Sequence, residues 1–178
     1  MILSMKETIL IPYSCGAGGS VPGSEQGAIA LTQTLPGYLQ NSGISSAWIR
    51  DPAAGFSGSD WGEKAHGNIP PLGSPEREEI VFQHCRQLCD DVAVTINEGK
   101  RPVTIGGDHS MAMGSVAGLA KAKGPDARIG LIWIDAHPDV HTVNTSNSKS
   151  LHGMPVATLL GNGVDRFSGL SGHKPVLR

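Results

Sequence analysis

Two stretches of this chain share one design, and together they leave few folds open. Val103-Thr104-Ile105 is a short apolar run followed by a glycine turn, Gly106-Gly107, and then by Asp108-His109-Ser110. Leu131 to Ile134, within the stretch that begins at Ile129, is a second apolar run that leads directly into Asp135-Ala136-His137-Pro138-Asp139. Between them, Ser110 to Lys123 has helical composition, with Met113, Val116, Ala117 and Ala120 on one stripe and Gly124-Pro125 as a stop. Strand, helix, strand over this length predicts a βαβ unit with parallel strands and a right-handed crossover. Both acid and imidazole clusters then lie at the carboxyl ends of parallel strands, where open α/β sheets place their ligands.

In extended backbone, side chains at i, i+2 and i+4 point the same way, so Asp135, His137 and Asp139 share a face. Carboxylates held that close repel unless a cation or a proton sits between them. The pattern predicts a metal site built from His109, Asp135, His137 and Asp139. Imidazole and carboxylate donors suit manganese, iron, cobalt, nickel or zinc better than a thiolate-seeking ion. Such an ion lowers the pKa of bound water, and a hydroxide beside a proton-passing histidine suits hydrolysis of a poor electrophile such as an amidine or guanidine.

The rest of the chain reads as the frame for that unit. Thr8 to Ile11 is the expected first strand, ended by Pro12, and Ala47 to Ile49 a short second one. The loop Cys15 to Gly23 is rich in glycine but lacks the endings of a phosphate loop or dinucleotide turn, so it is expected to lie over a site or a sheet edge. One helix is expected from about Glu25 to Leu39, capped by Ser24, with Ile29, Leu35 and Leu39 inward and Pro36 distorting its last turn. Residues 51–71 read as irregular, and His66 within them as a solvated loop residue. Pro75 to Glu98 is the clearest helix, with Ser74 as cap, acids in its first turn, and a stripe of Ile80, Cys85, Leu88, Val92 and Ile96 ended by Gly99. A polar loop from His141 to Ser150 begins at the proposed metal site. Leu151-His152-Gly153-Met154-Pro155 then precedes a short apolar helix, Val156 to Leu160.

Length and charge narrow the function. At 178 residues the chain suits a single domain spanning 1–178. A charged fraction of 17% and a net charge of -2 give no basic field for nucleic acid or an anionic membrane. The start of the chain does not read as a secretory signal, and no apolar run approaches the roughly 20 residues of a membrane helix. Cys15, Cys85 and Cys89 lack C-x-x-C spacing and read as buried structural thiols rather than a metal clip with His84, which suits a reducing, cytoplasmic setting.

G-G-D-H-S at Gly106 to Ser110, D-A-H-P-D at Asp135 to Asp139 and L-H-G-M-P at Leu151 to Pro155 resemble, in order and spacing, the arginase and agmatinase (ureohydrolase) family. The resemblance is densest from Arg101 to Gly161 and leans toward arginase. It implies a three-layer αβα fold with a mainly parallel sheet, incomplete at the C-terminus, and a two-manganese cluster whose bridging hydroxide attacks a guanidinium carbon to release urea. By position it implies that His109, Asp135, His137 and Asp139 bind manganese. It makes His152 a proton shuttle beside Asp139 in the catalytic set, and makes Ser146 and Ser148 hold the substrate α-carboxylate. His141 stands where arginases carry an asparagine that contacts the same carboxylate. The family's later Asp-x-Asp ligand pair has no counterpart, since Asp165 is the only carboxylate side chain after Asp139. The expected function is therefore arginase-like hydrolysis of a guanidino substrate, L-arginine to ornithine and urea. The alternatives are an agmatinase-type substrate, or a non-catalytic or split-enzyme subunit. The expected partners are a small guanidino molecule and either further copies of the chain or a complementing chain.

Overall fold

The computed structural model describes residues 7–21, 23–31, 34–50 and 69–177. Its sheet is parallel throughout: β1 (Thr8–Pro12) lies between β2 (Ser46–Trp48) and β3 (Arg101–Ile105). Leu10 pairs with Trp48 on one side and Val103 on the other. Every residue of β1 is buried, as a central strand made of Thr, Ile, Leu and Ile requires. β3, at the edge, leaves Arg101 and Val103 exposed.

Helices flank this sheet, giving the α/β class expected from the sequence. The long α3 (Pro75–Asn97) starts as its sequence dictates: Ser74 accepts a hydrogen bond from the Arg77 amide at 3.2 Å, and Pro75 occupies the first turn, where no amide partner is needed. Its face of Val81, Cys85, Leu88 and Val92 packs with Ile9, Ile11 and Tyr13 into the main core. Beside it runs α4 (Met111–Lys123), with Met113, Ala117 and Ala120 fully buried. The two helices meet closely because α4 carries Gly114 and Gly118 where they cross. A Cβ on Gly114 would stand 2.5 Å from the Cys85 carbonyl oxygen, and one on Gly118 2.5 Å from that of Cys89. A 3-10 turn at Leu151–Gly153, α5 (Pro155–Leu159) and α6 (Asp165–Ser168) follow.

Three expectations need correction. The single helix from Glu25 to Leu39 is two, α1 (Gln26–Leu31) and α2 (Leu35–Asn41). Pro36 lies in the first turn of α2, where its missing amide costs nothing, so it begins a helix rather than ending one. Ser24 does not cap α1: its hydroxyl is buried without a partner, and Ile29 is exposed. Residues Leu131 to Ile134, the expected fourth strand, and Ile129 before them pair with no strand among the described residues. They still alternate as a strand would. Ile129, Leu131 and Trp133 are partly covered, whereas Ile132 and Ile134 are 88% and 94% exposed. Ile129 and Leu131 rest on a second apolar cluster of Ala120, Leu159, Val176 and Leu177. The loop reading of 51–71, His66 included, falls almost wholly outside the described residues. All three cysteines are buried free thiols, as expected.

Candidate metal centre

The proposed ligands come from the two segments that α4 connects. His109 follows the glycine turn after β3, and its Nδ1 lies 3.0 Å from Asp135 Oδ2 and 2.9 Å from Asp139 Oδ2. One ligand atom from each of the three residues falls within 4.8 Å of the other two. Trp133 sets the ring plane of His109, stacking on it with centroids 4.4 Å apart and planes 17° from parallel.

Each acid is fixed by its own backbone. Asp135 Oδ1 accepts from the His137 amide at 2.8 Å, which closes the turn and is the main reason its carboxyl is held below the usual range. Asp139 has φ 49°, a left-handed conformation uncommon outside glycine but tolerated by Asp. With the chain turned this way its carboxylate faces His109, while its carbonyl accepts from the Val156 amide in the first turn of α5 at 3.0 Å. Asp139 is buried, and burial pushes its carboxyl up against the opposing pull of His109. A buried carboxylate beside a second one is costly without a counter-charge.

His137 lies outside this group. Its side chain is 80% exposed and its Nδ1 is 3.5 Å from Asp135 Oδ1, the oxygen turned away from His109. His152, in the 3-10 turn, is half-buried against the glycine loop: its amide donates to the Gly18 carbonyl at 3.1 Å, and a Cβ on Gly19 would stand 3.1 Å from its Nδ1. In the polar loop, Ser146 is buried and accepts from the Lys149 amide at 3.0 Å. Ser148 accepts from the Ser150 amide at 3.2 Å, and the two hydroxyl oxygens are 3.5 Å apart. Each amide uses only a lone pair and one hydroxyl donates to the other, which leaves one hydroxyl proton of the pair for a ligand. His141 turns its Nδ1 toward Thr145 Oγ1 at 3.3 Å.

Sequence reasoning missed how the glycine loop serves this centre. Residues 15–19 are buried, not spread over a surface. The Gly18 amide donates to Asp108 Oδ2 at 2.8 Å while its carbonyl holds His152, so one residue ties the β3 tip to the 3-10 turn. Asp108 Oδ1 accepts from Ser110, so this acid is spent on backbone and is not a free ligand. Glycine is needed at 18: a Cβ there would lie 2.5 Å from Asp108 Oδ1. From α3, Arg77 clamps the loop by donating to the carbonyls of Ala17, Gly19 and Pro70. The adjacency of Asp108 to His109 hinted at the first tie. Nothing local could reveal a partner of Arg77 some 60 residues away.

A parallel α/β sheet with an imidazole and carboxylates gathered where its strands end defines a class of protein built to hold a hard or borderline cation. The comparisons sharpen that class. Residues 7–170 match the Arginase family, and the chain belongs to it. It is 33% identical to an arginase of Eremothecium gossypii over 158 residues, covering 86% of this chain and 36% of that one. To an arginase of Bacillus subtilis it is 42% identical over 92 residues, covering 52% of this chain and 30% of the relative. A crystal structure of arginase from Bacillus subtilis superposes with a TM-score of 0.76 at 30% identity, covering 97% of this chain and 53% of that one. The chain thus spans about half the length of the solved arginases and about a third of the curated ones.

Proposed function

We propose that this chain carries the first metal-binding part of an arginase-like hydrolase that acts on the guanidinium group of L-arginine with manganese, giving ornithine and urea. The observation that carries this reading is His109 Nδ1 lying within 3.0 Å of carboxylate oxygens from both Asp135 and Asp139. The donor set fits the ion: one imidazole and two carboxylates, one of them buried, supply the negative charge that a divalent cation would neutralise. When bound, the ion supplies a water that ionises near neutral pH.

The remaining work falls to the chain. His109, Asp135 and Asp139 would hold the ion, and His137, exposed beside Asp135, would be a further donor only if its side chain turned toward them. His152, held by Gly18, passes a proton to the departing nitrogen, which must leave as an amine. The hydrogen-bonded pair of Ser146 and Ser148 would offer its remaining hydroxyl proton to the substrate carboxylate, with His141 in the same loop. The free thiols suit a reducing compartment such as the cytoplasm. Among the described residues no helix is long and apolar enough to cross a membrane.

A second reading is a subunit that needs a complementing chain for turnover. It is favoured by the convergence of only three ligand-capable side chains among the described residues, which leaves a cation's coordination incomplete. Calorimetric titration with Mn2+ and a urea assay on arginine and agmatine separate the two. The first reading expects Mn2+ binding weakened at least tenfold in His109→Ala and Asp139→Ala, with urea from arginine. Binding without urea from either substrate supports the second; no binding at all contradicts both.

A further inference from the structure

We infer that Lys149 is a specificity-determining residue: its ammonium pairs with the carboxylate of the guanidino substrate, so that the site takes guanidino acids in preference to guanidino amines such as agmatine. The inference rests on the proposed reaction and names the residue that selects its substrate.

Without this lysine the polar loop serves a carboxylate poorly. Ser146 and Ser148 keep one hydroxyl proton between them, and His141 is turned to Thr145. A carboxylate carries a full charge and roughly four lone-pair sites, which one neutral donor does not balance. Lys149 adjoins the serine pair directly: it follows Ser148 in sequence, and its amide donates to Ser146 Oγ at 3.0 Å. Its ammonium donates to the Val143 carbonyl at 2.7 Å, and the remaining N–H donors of that group stay available to a ligand. Among the described residues it has no carboxylate partner.

The fold makes room for this side chain. Lys149 has a left-handed backbone, φ 59°, and a Cβ on Gly73, just ahead of α3, would stand 3.0 Å from the Lys149 Cβ. Loop and helix thus close on the lysine, and a cavity of about 290 Å³ lies between them. Arg77 and Glu78 of α3 line it together with Lys149. Arg77 is committed to three backbone carbonyls, so it contributes charge rather than contact. Set against Glu78, the two cations leave a single positive charge in excess, which suits a monoanion such as a carboxylate better than a dianionic phosphate. The cavity also adjoins the proposed chemistry. Two of its lining residues lead into the proton-passing histidine: Ala17 precedes Gly18, whose carbonyl holds His152, and Leu151 precedes His152 itself.

The test titrates the whole chain calorimetrically with L-ornithine and with putrescine, which differ by the carboxylate alone. Ornithine should bind roughly tenfold more tightly, the worth of one charge-assisted hydrogen bond. That gap should narrow as salt rises from about 0.05 to about 0.5 M, because the ammonium is partly in solvent. Lys149→Met should abolish the gap with little change in melting temperature, since the side chain is exposed. Lys149→Arg should keep most of the gap, and Glu78→Gln should widen it by removing a like charge from the cavity wall. Ornithine should also slow amide exchange in 143–151. Equal affinities, no binding of ornithine, or a gap that survives Lys149→Met at low salt overturns the inference. Failure of the proposed reaction would show instead as missing Mn2+ binding or missing urea, neither of which these titrations measure.

Discussion

His84 shows how a side chain near the centre can matter without belonging to it. It lies in α3, almost wholly buried, with its Nδ1 2.8 Å from the Ile80 carbonyl and its ring edge-on to Tyr13. Burial lowers its pKa below the ordinary 6.5, only partly offset by that hydrogen bond. The unfolded chain therefore takes up a proton near pH 6.5 that the folded one resists, so stability is full above that pH and falls as pH drops through it. A thermal melting series from pH 7.5 to 5 should show this loss. His84→Leu should flatten it, and an unchanged slope would show that other groups cause the loss. Cys85, next in sequence, is pushed up to about 12 by burial, consistent with a structural thiol hydrogen-bonded to Tyr13. Among single residues, His109, Asp135 and Asp139 do come together, but Asp139 reaches the group through its left-handed backbone, φ 49°, and not through strand alternation. His137 does not, because the chain leaves extended geometry at Asp135, whose carboxylate takes the His137 amide and breaks the i, i+2 rule.

α4 links the centre's two arms and packs closely against α3. Their close approach depends on Gly114 and Gly118, whose missing Cβ atoms admit the backbone of Cys85 and Cys89. At Gly118 an added methyl group would meet the Cys89 carbonyl oxygen at 2.5 Å and Val92 Cβ at 2.7 Å, neither of which can swing away. Gly118→Ala gains roughly 1 kcal/mol of helix propensity but forces the helices apart, and overpacking of this kind costs about 1–3 kcal/mol. Chemical denaturation should therefore show a net loss of stability; a gain would mean the helices part more easily than their packing suggests. Both helices and the three paired strands were readable from periodicity and caps. The fourth strand was misread for a physical reason: apolar alternation reports that a segment is fit to pair, while pairing needs a neighbour. That neighbour is missing among the described residues. The same limit split the expected helix at Pro36, whose ring suits a first turn as well as it disrupts a last one.

For the molecule as a whole, an edge strand, an exposed apolar segment and a partly built cation site all lie on one side of the sheet. The solved arginases carry nearly half of their polypeptide beyond the part that matches this chain, which among its described residues brings one cluster of three ligand-capable side chains together. The account depends on that cluster gripping a single ion, and crystals grown with Mn2+ and measured at the manganese absorption edge test it directly. The expected result is one anomalous peak within coordination distance of His109 Nδ1 and the carboxylates of Asp135 and Asp139. A peak elsewhere, or none at this triad under saturating Mn2+, would contradict it.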